Sequence, residues 1–181
     1  LWKSDGTAAG TVLVKDIFVG TAGSGPVNLT NVNGTLFFVA NDGVTGFELW
    51  KSDGTASGTV MVKDIYPGNT MSGSDPNNLT AFKGKLYFSA DDGKTGTELW
   101  MTDGTEAGTI LVKDVRPGFN ASAPSYFAVA GNSLFFSAND SIHGIELWKT
   151  DGTTGGTVMV KDLEPNAYSS APGQITAAGS S

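Results

Sequence analysis

A phrase of 16 residues occurs four times in this chain, and its spacing limits the folds that the chain can adopt. Each copy begins with Leu-Trp, passes through Asp-Gly-Thr and ends in Val-Lys-Asp, as in LWKSDGTASGTVMVKD. The tryptophans that mark the copies are 48, 50 and 48 residues apart, at Trp2, Trp50, Trp100 and Trp148. A period of about 40–50 residues matches one four-stranded blade of a β-propeller. The spacing therefore predicts a tandem array of similar units.

Each period divides into four short apolar segments separated by turn residues. In one period the predicted strands cover residues 79–82, 86–90, 98–102 and 109–115. Lys-Gly and Asp-Gly steps between the segments are typical of turns, and β-branched residues dominate the fourth segment. No helical periodicity occurs. The chain is therefore predicted to be all-β.

Adjacent apolar residues within the predicted strands indicate that both faces of each sheet are buried. Neighbours such as Phe37 and Phe38, or Leu99 and Trp100, point to opposite faces of a sheet. A two-sheet sandwich leaves one face of each sheet in water and alternates polar with apolar residues. We therefore predict tandem four-stranded antiparallel blades of a β-propeller. A β-solenoid, which also stacks repeats, is the alternative.

The repeat also predicts the boundaries of the units within a single array of residues 1–181. Strands three and four of one blade occupy 1–17, three whole blades occupy 26–66, 76–116 and 124–163, and a further strand one, near 175–178, opens a unit at 172–181. No strand two follows this last strand, and an incomplete sheet leaves unpaired backbone groups at its edge. We expect an excerpt of a longer array, with the missing strand supplied by adjoining sequence or by a neighbouring copy.

Charge and residue content argue against several functional classes. The chain has 11 Lys and Arg against 18 Asp and Glu, a net charge of −7, without a basic cluster for nucleic acid. No apolar run approaches the roughly 20 residues that span a bilayer. The absence of Cys removes disulfides and cysteine metal sites. With His143 as its single histidine, the chain cannot assemble a Ser-His triad or the usual zinc site.

The aspartate of every Asp-Gly-Thr step is predicted to close a turn. Asp side chains accept hydrogen bonds from backbone amides two residues further on, and glycine adopts the backbone angles that such turns require. A row of carboxylates for metal binding or catalysis is the alternative. The four residues assigned to the structural turn are Asp5, Asp53, Asp103 and Asp151.

Antiparallel counting predicts a cross-strand ion pair in each repeat. If Ser52 lies opposite Thr59, then Glu48 lies opposite Lys63, and such a pair stabilises a sheet by roughly 0.2–1 kcal/mol. The same register places Trp50 against Met61, which favours core packing of the tryptophans over sugar stacking. The corresponding pairs in the other repeats are Glu98 with Lys113, Glu146 with Lys161, and Trp100 with Leu111.

The loops between strands two and three hold the candidate ligands for a metal. Clustered hard oxygen ligands suit Ca²⁺, but no loop supplies the three or four carboxylates of a dense calcium motif. The sequence therefore predicts no cofactor, and a bound calcium ion is the alternative. The candidate calcium ligands are Asp42, Asp91, Asp92 and Asp140.

The loops from strand four to the next strand one are the candidate binding face. They vary in length and content, whereas the turns between strands three and four keep one length. Loops on a rigid scaffold commonly carry recognition. The alternative is that their large side chains pack between blades. The candidate residues are Phe18, Tyr66, Met71, Arg116, Phe119 and Tyr168.

The recurrent phrase ELW-x-x-DGT-x-x-GT-x-x-VKD resembles the bacterial ELWxxDGT repeat family. It is complete at 48–64, 98–114 and 146–162, and lacks only its Glu at 1–16. With the flanking strands, the resemblance covers nearly the whole chain, and the departures from it are confined to loops. It implies a large, exported bacterial protein with propeller-like repeats, located outside the cell or at the cell surface, and no chemistry for particular residues.

The sequence thus predicts a non-catalytic structural or interaction module of an exported bacterial repeat protein, not an enzyme. Surface attachment, matrix assembly or filament assembly are the expected roles. Other protein chains, copies of the chain itself and glycans are the expected partners. The alternative is a carbohydrate-binding or hydrolytic propeller whose active residues lie outside this segment.

Overall fold

Short strands joined by turns form all the regular structure of the computed structural model, which describes residues 1–165 and 168–178. The strands are β1 (Trp2–Lys3), β2 (Val12–Leu13), β3 (Val27–Val32), β4 (Thr35–Asn41), β5 (Phe47–Ser52), β6 (Val60–Lys63), β7 (Asn77–Phe82), β8 (Lys85–Asp91), β9 (Thr97–Thr102), β10 (Ile110–Lys113), β11 (Ser125–Ala130), β12 (Ser133–Asn139), β13 (Ile145–Thr150) and β14 (Val158–Lys161). Among the residues that the structure describes, no helix is long and apolar enough to cross a membrane.

The strands make three four-stranded antiparallel sheets and one two-stranded pair. Sheet I contains β3 to β6, sheet II contains β7 to β10, and sheet III contains β11 to β14, each in chain order, while β1 pairs with β2. In the part of the chain that the structure describes, every strand pairs only with strands of its own repeat. The predicted all-β class and the four strands per repeat are therefore confirmed.

The hydrophobic cores lie between successive sheets. The core between sheets I and II contains Phe37 and Leu49 from sheet I, with Phe88 and Trp100 from sheet II. Phe38, the neighbour of Phe37, belongs to a different core, which joins sheet I to residues 1–17. An equivalent core joins sheet II to sheet III. Both faces of sheets I and II are thus buried, as the runs of apolar residues predict.

A β-bulge in the fourth strand of each four-stranded sheet makes the predicted Glu–Lys register wrong. Trp50 lies opposite Met61 as expected, but Lys63 lies opposite Leu49, because Val62 is an extra residue in β6. Glu48 and Lys63 are therefore not cross-strand partners. The same shift places Lys113 opposite Leu99 and Lys161 opposite Leu147, so the predicted Glu98–Lys113 and Glu146–Lys161 pairs are also absent.

The first strands of the three sheets form one edge of the array. Strand β3 contacts β7, and β7 contacts β11. Each carries a bulge of its own; in β3, Asn28 and Leu29 together oppose Phe38. The predicted further strand one at 175–178 adopts no strand, and residues 179–181 of that unit lie outside the described residues.

Candidate functional site

The aspartates of the Asp-Gly-Thr turns accept hydrogen bonds within their own turns. Asp103 Oδ1 accepts the Thr105 amide at 2.9 Å and the Thr105 hydroxyl at 2.7 Å. These bonds, the hydroxyl bond above all, hold the pKa of Asp103 below its usual value. The other three turns repeat both contacts, at Asp5, Asp53 and Asp151. Each of the four carboxylates thus accepts two hydrogen bonds from the threonine of its own turn.

A fully buried glutamate in the third strand of each four-stranded sheet holds the loops that follow the fourth strand. Glu98 accepts the Ser122 amide at 2.9 Å, the Ser122 hydroxyl at 2.6 Å and the Val115 amide at 3.0 Å. Ser122 precedes β11, so a side chain of sheet II fixes the entry to sheet III. We call this arrangement the glutamate clamp. Its other copies join Glu48 to Ser74 and Ile65, and Glu146 to Ser170 and Leu163.

Burial raises the pKa of Glu98 to about 7, although the bonds from Ser122 and Val115 oppose the rise. The same balance raises the pKa of Glu48 to about 7. At Glu146 burial is again the largest single effect, but the hydrogen bonds together outweigh it and lower the pKa. Two of the three clamps therefore hold a carboxyl group that titrates near neutral pH.

The lysines that end the fourth strands reach across to the next sheet. Lys113 Nζ donates to the Thr157 carbonyl at 2.7 Å and lies 5.8 Å from the centre of the Trp148 ring. Lys63 makes the same two contacts with Thr109 and Trp100. The cationic groups of Lys63 and Lys113 thus bind the backbone of the following repeat.

The candidate calcium ligands accept hydrogen bonds from their own loops. Asp92 Oδ1 accepts the amides of Lys94 and Thr95 at 2.9 and 2.8 Å, and Asp42 makes the equivalent contacts. Asp91 accepts the Gly93 amide at 2.7 Å. Across residues 1–165 and 168–178, no three His, Cys, Asp or Glu side chains are grouped so that they could hold a metal.

In the loop that contains the single histidine, Asp140 accepts the His143 amide and contacts the imidazole. Asp140 Oδ2 lies 2.7 Å from His143 Nδ1, and this hydrogen bond raises the pKa of His143. His143 therefore contacts one carboxylate, which belongs to its own loop.

The candidate binding face divides into packed and exposed residues. Phe18 and Tyr66 are half-buried and lie over Gly43 and Gly93 of the neighbouring loops, where a larger residue would collide with the rings. Arg116 Nη1 donates to the Ala121 carbonyl at 3.4 Å. The remaining three are exposed: Met71 by 88%, Phe119 by 84% and Tyr168 by 71%. Phe18 and Tyr66 thus pack between loops, and the exposed three are the free part of this face.

An open cavity of about 470 Å³ lies along the edge formed by the first strands, and the sequence analysis did not identify it. We call it the inner cavity. The Asn-Leu-Thr steps at 28–30 and 78–80 recur in the sequence and are the signal that could have indicated it. Its lining residues are Asn28, Leu29, Thr30, Asn77, Asn78, Leu79, Thr80, Tyr126 and Phe127.

Comparison with known proteins assigns the chain to no family. No family model matches it, and no curated protein matches it. Among solved structures it is similar to the computationally designed Ika4 protein, with 17% sequence identity and a TM-score of 0.46. That match covers 87% of this chain and 84% of the designed protein.

Proposed function

We propose that the chain is part of a β-propeller and serves as a non-catalytic structural and interaction module. Support for the propeller comes from the antiparallel order within each repeat and from the contacts of β3 with β7 and of β7 with β11. Radially arranged blades bring their first strands together in this way. In a parallel β-helix, strands would instead pair with those of the next repeat.

The observation that carries the proposed role is the use of recurrent charged residues as connections between repeats. Glu98 binds the loop entering the next sheet, and Lys113 binds a backbone carbonyl of that sheet. A catalytic carboxylate needs access to substrate, whereas Glu98 is fully buried and already accepts three hydrogen bonds. These roles suit a scaffold.

The proposal also covers membership of the bacterial ELWxxDGT repeat family and a location outside the cell or at its surface. The Glu, Trp, Asp and Lys of the motif each have a structural contact in the fold. These four residue types of the motif thus serve contacts within and between units. Surface attachment, matrix assembly or filament assembly are the roles that we propose, with protein chains, copies of the chain or glycans as partners.

Substitution of the bridging lysine tests the scaffold role. Lys113→Met keeps the aliphatic stem but removes the bond to Thr157, and should lower the urea midpoint of unfolding. Lys149→Met, at an exposed position of β13, is the matched control and should leave the midpoint nearly unchanged. Equal effects of the two changes would contradict the connecting role. Hydrolysis of chromogenic glycosides by the purified chain, abolished by Glu98→Gln, would contradict the non-catalytic assignment.

A further inference from the structure

The inner cavity is lined by residues with an unusual backbone conformation. Asn28, Asn78 and Tyr126 occupy equivalent positions in the three first strands, with φ of 56°, 58° and 56°. Asparagine tolerates this left-handed region, but an aromatic residue there is rare and strained. Gln174, 48 residues after Tyr126, has a φ of 50°. The left-handed conformation thus occurs at four equivalent positions, none of which is occupied by glycine. Backbone strain of this kind concentrates at binding sites.

The strain is associated with bulges that open toward one cavity. Asn28 lies in the bulge of β3, and the bulges of β7 and β11 occur at the corresponding points. Bulges redirect side chains and are frequent beside functional sites. Asn28 Nδ2 donates to Asn77 Oδ1 of the next sheet at 3.2 Å. Side chains of neighbouring sheets are therefore in direct polar contact at this site.

The lining is neutral, polar and partly apolar. Asn28 and Asn77 are exposed and offer amide donors and acceptors, and Thr30 and Thr80 add hydroxyl groups. Tyr126 is 51% exposed and Leu29 is 57% exposed. Within residues 1–165 and 168–178, no charged side chain lines the cavity. Its volume of about 470 Å³ lies in the range of about 300–1,000 Å³ that is common for ligand sites.

This combination of groups fits a sugar ring better than an ion or a peptide. A pyranose presents hydroxyl groups at its rim, which match amides and threonine hydroxyls, and a C–H face, which packs on an aromatic ring. Phosphates and carboxylates would need cationic side chains, which the lining lacks. We infer that the inner cavity binds a neutral glycan, with Tyr126 as the stacking residue and Asn28 and Asn77 as hydrogen-bonding residues.

The inference deepens the proposed interaction role by naming the class of partner and the residues that contact it. It rests on that role, but the two fail in different experiments. The stability of Lys113→Met tests the scaffold role, whereas saccharide binding tests the assignment of the inner cavity.

The test uses substitutions that the left-handed backbone accepts. Asn28→Gly removes the amide, and glycine adopts the left-handed conformation freely, so the variant should stay folded. Tyr126→Asn removes the ring and installs the residue that Asn28 and Asn78 already place at this position. Phe119→Ala, an exposed aromatic outside the cavity, is the matched control.

Binding is measured calorimetrically with maltohexaose, cellohexaose and chitohexaose, and with oligogalacturonate as an anionic probe. We expect at least one neutral oligosaccharide to bind, with a Kd at least tenfold higher in Asn28→Gly and in Tyr126→Asn and unchanged in Phe119→Ala. Melting temperatures measured in parallel should show that both cavity variants stay folded. Absence of binding by every neutral probe, binding of the anionic probe alone, or binding that survives both cavity changes would each overturn the inference.

Discussion

The tryptophan of the repeat has two different environments among its four copies. Trp100 is 6% exposed and packs with Phe88 and Leu49 in the core between sheets I and II, whereas Trp2 is 65% exposed. Replacing Trp100 by Ala removes a large buried ring and leaves a cavity. We expect the free energy of unfolding to fall by about 3–5 kcal/mol, measured by urea denaturation.

Trp2→Ala is the matched control for this change. We expect it to lower the free energy of unfolding by less than about 1 kcal/mol, because substitutions of exposed residues usually have small effects on stability. If Trp100→Ala lowered the free energy of unfolding by less than about 1 kcal/mol and abolished saccharide binding, the tryptophans would be assigned to a binding site and not to the core.

Whether the melting temperature depends on Ca²⁺ is determined by the aspartates of the loops between strands two and three. Asp42 and Asp92 each accept backbone amides of their own loops, so these loops have an internal partner for the carboxylate. We therefore expect EDTA to leave the melting temperature unchanged and added Ca²⁺ to leave it unchanged as well. A melting temperature that rises steadily with Ca²⁺ concentration would indicate a ligand bound to the native state and would favour the calcium alternative.

Among the elements, the glutamate clamp gives the fold a specific pH dependence. The pKa of Glu98 is raised from 4.5 to about 7, so the folded state holds a proton that the unfolded state releases at lower pH. Its contribution to stability is therefore complete below about pH 4.5 and disappears as the pH rises through about 7. We expect the urea midpoint to fall between pH 5 and pH 8.

The variant Glu98→Gln isolates this effect. It cannot titrate, and the amide nitrogen that replaces Oε2 cannot accept the hydrogen bond from the Val115 amide, so the variant should be less stable at pH 5 and show a weaker pH dependence. Glu106→Gln, on an exposed turn, should retain the original profile. A Glu98→Gln profile parallel to the original would contradict the assignment of the pH dependence to the clamp.

Sequence patterns predict the elements whose cause is local and miss those whose cause is tertiary. The Asp103 turn follows from Asp-Gly-Thr chemistry alone, and apolar runs such as 36–39 identify strands with two buried faces. The bulge at Val62 has no local signature, because the sequence Val-Met-Val at 60–62 is equally compatible with a regular strand and with a bulged one. The left-handed Asn28 is equally hidden, since Asn-Leu-Thr also suits a regular strand.

At the scale of the whole molecule, apolar side chains remain exposed on the two outermost surfaces. Val12 and Leu13 of the β1–β2 pair are 40% and 49% exposed, and Val158 and Val160 of β14 are 38% and 45% exposed. We expect the isolated 181-residue chain to self-associate, seen as a sedimentation coefficient that rises with concentration. Leu13→Lys and Val160→Lys should each weaken the association, and Met71→Ser, on an exposed loop, should not. A stable, soluble monomer closed into a four-bladed ring would contradict this expectation.

The bond from Lys113 to the next repeat ends on a backbone carbonyl, and so does the bond from Lys63. A carbonyl is present whatever side chain the partner residue carries. A following unit that keeps the turn geometry therefore offers this acceptor whatever its side chains, and gene duplication or loss of one period of 48 or 50 residues would preserve the lysine bond at each remaining joint. During evolution, such an array can gain or lose one repeat at a time, while the loops of the individual repeats diverge independently.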